Sequence, residues 1–79
     1  MADRVEEFVA YAVKSLATEP GEVQVSRVAG SDKDTVTVRV NSRDRGRVVG
    51  RQGRTIRAIS TIVNIIAAGG RGVSVTVAD

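Results

Sequence analysis

Cysteine, histidine and tryptophan are absent from these 79 residues, and phenylalanine, tyrosine, proline and methionine occur once each. The first two absences remove disulfides, thiolate nucleophiles, the usual zinc sites and the commonest acid–base side chain, so neither enzymatic chemistry nor a metal or other cofactor is expected. With so few aromatics the core must come from Val, Ile, Leu and Ala, and the many valines point to strands as its main source. No apolar run reaches the length of about eighteen residues that a membrane span requires. Asp3, Glu6 and Glu7 stand where a signal peptide would carry basic residues, so the expected location is the cytoplasm.

What is present suits one folded unit. The length accommodates a single domain over residues 1–79 and no second one, and 42% hydrophobic with 27% charged residues is an ordinary mixture for a globular chain. The net charge of +3 is unevenly spread. From Arg43 to Arg57 there are six arginines (43, 45, 47, 51, 54 and 57) against one acid, Asp44, giving +5; the rest of the chain is therefore −2. A polyanion would meet that local charge at short range.

Hydrophobic spacing divides the chain into six elements. Asp3 can cap a first helix, in which Val5, Phe8, Val9, Ala12, Val13 and Leu16 follow the spacing of one buried face; Pro20-Gly21 stops it. A strand is expected around Glu22–Val28, where Val23 and Val25 share a face and Arg27 and Val28 break the alternation. Gly30 to Asp34 reads as a turn. Beyond it Val36, Val38 and Val40 alternate with Thr35, Thr37 and Arg39, so the two strands form a hairpin. Asn41 or Ser42 offers an N-cap for a short helix through Val49. In the second long helix, Ile56, Ile59, Val63, Ile66 and Ala67 mark the buried stripe, and Ile62 and Ile65 widen it so far that little of the helix can face water. Gly69-Gly70 ends that helix, and Val73, Val75 and Val77 alternate along a last strand. The order α-β-β-α-α-β predicts an α+β domain with a three-stranded sheet covered on one face by helices.

Between the two later helices lies Arg47-Val48-Val49-Gly50-Arg51-Gln52-Gly53-Arg54-Thr55-Ile56. Two glycines three apart permit a sharp change of direction and leave no Cβ to hold a ligand away. The helix beginning near Gly53 presents unpaired N–H groups and the positive end of its dipole, a natural seat for phosphate oxygens. Val48, Val49 and Ile56 would anchor the loop to the core while Arg51 and Gln52 project outward.

This run resembles the KH signature, in which a GxxG loop between two helices clamps the backbone of about four nucleotides. The element order is similar to the type II variant of that fold, with its mixed three-stranded sheet, and the chain as a whole resembles the small bacterial stand-alone KH-domain proteins of the KhpA type. The resemblance implies single-stranded RNA binding by Arg47, Val48, Val49, Gly50, Arg51, Gln52, Gly53, Arg54, Ile56 and Arg57. Gly50 to Gly53 would be the phosphate clamp, Val48, Val49 and Ile56 would line or support an aliphatic groove for bases, and Val38 and Val40 would form either its opposite wall or core. Scarce aromatics fit such a groove and not the base-stacking surfaces of RRM and OB folds. It further implies a homodimer, pairing with a larger Jag-type KH RNA-binding protein, a role in RNA chaperoning or post-transcriptional regulation, and a link to cell envelope growth and cell shape. Val49 stands where Ile is common in the signature, and Gln52 where many such loops carry a basic residue.

Plainer readings stand beside this one. A lone GxxG is often a tight helix–helix turn without a ligand, and the arginines could be a solvated face in which Asp44 partly neutralises Arg43 and Arg45. A nucleotide-hydrolysing loop is excluded by spacing, since neither G-x-x-x-x-G-K-[ST] nor G-x-G-x-x-G occurs. The alternative function is a protein–protein interaction module that dimerises and uses the GxxG loop only structurally.

Overall fold

Alternating valines and two amphipathic helical stripes build a two-layer arrangement in the computed structural model, which describes residues 4–67, 70 and 72–78. Helix α1 (Arg4–Leu16) buries Val5, Val9 and Val13. Strands β1 (Gln24–Val28) and β2 (Lys33–Arg39) pair antiparallel, with Val25 opposite Val38 and Arg27 opposite Val36. A short helix α2 (Arg45–Val49) and a long one, α3 (Arg54–Ile66), then lead to β3 (Gly72–Val77). Strand β3 pairs parallel with β2, Val36 opposite Val75, so the sheet is mixed in the order β1-β2-β3. A parallel neighbour cannot be reached by a tight turn, and α2 and α3 supply the crossover.

The core among the described residues is Val5, Val9, Val13, Val36, Val38, Val48, Ile59, Val63, Val73 and Val75. It lies between one face of the sheet and the three helices, and both strands of the parallel pair contribute alternate residues to it. The other sheet face carries Ser26, Thr35, Thr37 and Thr76, as alternation requires.

Three expectations need correction. Lys33 and Asp34 belong to β2, not to the preceding turn. Arg27 does not break the alternation of β1: it faces inward, half-buried, and its Nε and Nη2 both lie 3.0 Å from Oδ2 of Asp34. Val28, next along, points outward and is 61% exposed. The wide stripe of α3 is also narrower than expected, because Ile62, Ile65 and Ile66 are 43%, 68% and 38% exposed. At 3.6 residues per turn Ile65 falls on the opposite side of the helix from Ile56 and Val63, and only the latter side meets the sheet. The Asp3 cap and the Gly69 stop lie outside the described residues.

Candidate nucleic-acid interface

The segment leading into the loop is tied down before the loop begins. Asn41 accepts a hydrogen bond from the Arg43 N–H through Oδ1, at 2.9 Å, and starts a 3₁₀ turn over Ser42–Asp44. Asp44 is wholly buried. Its Oδ1 accepts from the Thr18 N–H at 3.0 Å and the Thr18 hydroxyl at 2.7 Å, and its Oδ2 accepts from the Glu19 N–H at 3.0 Å. The backbone and hydroxyl bonds from Thr18 hold its carboxyl below the ordinary value of 3.8, helped by the Glu19 N–H and the charge of Arg47 and opposed by burial. Asp44 therefore joins the end of α1 to the start of α2. Neither Arg43 nor Arg45 forms an ion pair with it among the described residues.

From this anchor α2 runs five residues, with Val48 wholly buried and Val49 half-buried. It ends at Gly50, whose N–H donates to the Gly46 carbonyl at 2.9 Å. Gly50 has φ 79° and ψ 170°, and a Cβ placed there would fall on the Thr55 hydroxyl and within 2.8 Å of the Thr55 nitrogen. Only glycine fits this close crossing. Arg51–Gly53 then make one tight turn, in which the Gly53 N–H donates to the Gly50 carbonyl at 3.1 Å. Gln52, at φ 57° and ψ 26°, is left-handed although it carries a side chain. The Arg57 guanidinium reaches back and donates from Nη2 to the Gln52 carbonyl at 3.0 Å, bracing that conformation.

Gly53 (φ 75°, ψ 14°) is the N-cap of α3, and a Cβ there would meet nothing within 4 Å. It gives the helix no side-chain cap, so the first-turn N–H groups, which no helix pairs internally, are not covered by a side chain of the cap residue. Arg47, Arg51, Gln52, Arg54 and Arg57 are exposed around this point, and Ile56 packs half-buried against the core. Of the expected site residues, then, Val48 supports from beneath and the others reach the surface wholly or in part. Val38 is core; Val40 packs against it. The strand lying against both α2 and α3 is β3.

Sequence reasoning missed three residues that shape this region: Asp44, Thr55 and Asn64. The amide of Asn64 spans from α3 to β3, donating to the Val73 carbonyl at 2.9 Å and accepting from the Val73 N–H at 3.0 Å. A polar residue inside an otherwise isoleucine-rich helix was the available signal. No group of three or more acidic, His or Cys residues that could hold a metal ion occurs among the described residues. No helix among them is long and apolar enough to cross a membrane.

A tight Gly–x–x–Gly turn between two helices, beside a mixed three-stranded sheet, is the geometry of a KH domain. The sequence profile of the KhpA/KhpB KH domain matches residues 6–78. This chain belongs to the KhpA/KhpB KH-domain family. Its KhpA-type relatives include the RNA-binding protein KhpA of Streptomyces coelicolor, 41% identical over 75 residues that span 95% of this chain and 92% of the relative. RNA-binding protein KhpA of Treponema pallidum is 37% identical over 85% of this chain and 84% of its own length. That of Chlamydia trachomatis is 38% identical over 80% and 81% respectively. These KhpA relatives are named as RNA-binding proteins and not as enzymes. No solved structure matches the chain significantly.

Proposed function

We propose that this chain, as one KH domain, binds single-stranded RNA through Gly50-Arg51-Gln52-Gly53. The sugar–phosphate backbone of about four nucleotides lies over the loop, with bases turned toward Val49 and Ile56 and the loop resting on Val48. The observation that carries this reading is the open space at Gly53. A residue that sits at φ 75° at the start of a 13-residue helix, with nothing opposite its missing Cβ, lets a phosphate approach the helix start closely. Arg47, Arg51 and Arg54 supply charge to the backbone without regard to base identity. Arg57 has a double part, bracing Gln52 with one donor and keeping others for phosphate.

The relatives' shared name supports RNA as the partner. With the family resemblance it also supports a cytoplasmic RNA chaperone or post-transcriptional regulator that acts in cell envelope growth and cell shape, alongside a larger Jag-type KH protein. A second reading, homodimerisation, is favoured by a specific observation: Ile62, Ile65 and Ile66 of α3 are all exposed. Two such faces in contact would double the RNA surface and raise affinity through avidity.

Titration of labelled protein with a short single-stranded RNA, followed by amide chemical shifts, tests the main reading. The expected shifts fall on residues 47–57 and the start of α3. Shifts confined to other surfaces would overturn it.

A further inference from the structure

The sheet has two edges, and they are treated differently. On the β3 side, the outward N–H and C=O of Val73 are both occupied by the Asn64 side chain. On the β1 side, α1 packs against the strand, and an open groove of about 250 Å³ lies between the two elements. Its floor is Val23 and Val25, both half-buried; Ala10 and Lys14 form the helix wall, and Glu6 and Glu7 stand on its rim. Neither glutamate is ion-paired among the described residues. Strand β1 has no proline, glycine or lysine from Gln24 to Val28, and its one charged side chain, Arg27, is already paired with Asp34.

We infer that this groove is a docking site for an extended basic peptide of a partner protein, which adds as a further strand along β1. Side chains on one face of an extended peptide recur at every second residue. An aliphatic side chain entering over Val23 and Val25 therefore places residues two positions away above the rim, where lysine or arginine would meet Glu6 and Glu7. Main-chain pairing along five residues supplies affinity, and the groove with its carboxylates supplies selectivity. Charge decides the class of occupant. Glu6 and Glu7 outweigh the one cation of the lining, Lys14, so the groove disfavours RNA and acidic segments and favours a basic one. The groove shares no residue with α2, the loop or α3, so peptide and RNA can be held together.

The test uses the whole chain and a blocked heptapeptide in which serine alternates with arginine, valine and arginine. The expected result is amide shifts at residues 6–14 and 23–28, with binding weakened roughly fivefold or more when the two arginines of the peptide are replaced by glutamate. The double variant Glu6→Gln, Glu7→Gln should lose the same preference while its RNA affinity stays unchanged. Equal binding of the two peptides to the wild-type chain, or shifts elsewhere, would overturn the inference. So would a peptide-free dimer whose contacts fall on β1, since the edge would then belong to a second copy.

Discussion

Gly50 and Gly53 stand three residues apart in one loop and have almost the same φ, yet the fold uses them in opposite ways. Around Gly50 the molecule is closed: the Thr55 side chain fills the space a Cβ would need, Val48 is buried two residues before it, and the buried Asp44 carboxylate holds the start of α2 against Thr18 and Glu19. Around Gly53 it is open. The first glycine is required for the chain to fold back on α3, and the second leaves room beside the helix start. A signature written as two equivalent glycines thus combines a packing requirement with an access requirement.

The largest effect should come from filling the closed side. Gly50→Ala combines the loss of a glycine-only conformation with a collision at Thr55, and is expected to cost about 3 kcal/mol in urea unfolding. Val48→Ala should follow at about 2 kcal/mol, as a truncation in a small core. Gly53→Ala meets no atom, so only the left-handed backbone is penalised, at about 1 kcal/mol, and RNA affinity should fall more than stability does. A Gly53→Ala loss as large as that of Gly50→Ala would break the distinction between the two ends. Smaller again, Gln52→Gly should stabilise by about 0.5 kcal/mol, because relief at φ 57° outweighs the added freedom of the unfolded chain.

The last effect is recognised by its dependence on pH. Asp44 has a folded-state pKa below its ordinary value of 3.8, so its contribution is fully present above that value and is lost as pH falls through the lowered one. Chemical unfolding of the wild type and Asp44→Asn across a pH series should give a stability difference that is constant from neutrality to about pH 5 and shrinks in more acid solution. A difference that grows toward low pH would mean that the carboxylate is not held ionised by Thr18 and Glu19.

Much of this architecture was legible in the residues. Alternation in Val36-Thr37-Val38 and Val73-Ser74-Val75 located β2 and β3, and the 3.6-residue spacing of Val5, Val9 and Val13 located α1. Gly50 and Gly53 between two helical patterns marked the loop. What stayed hidden depends on contacts distant in the chain. Asp44 looked like one acid among arginines until its partners, 25 and 26 residues away, were known. In sequence Arg27 interrupts the alternation of β1, and its partner Asp34 lies in a turn-like Gly-Ser-Asp-Lys-Asp stretch that hides the pairing. The isoleucines of α3 form one wide apolar stripe in sequence, and hydrophobicity alone does not say that a single layer leaves one side of the helix exposed.

The most direct test is fluorescence anisotropy with a short single-stranded RNA across a salt series, comparing the wild type with Arg51→Asp, Gln52→Asp. Both side chains are exposed, so this variant changes the loop's charge without touching its packed end. Wild-type affinity is expected to fall with salt at a log–log slope of about −2, as for three phosphate contacts, and the folded variant to bind at least roughly tenfold more weakly with a shallower slope. Equal affinity and equal slope for the two proteins would contradict this expectation.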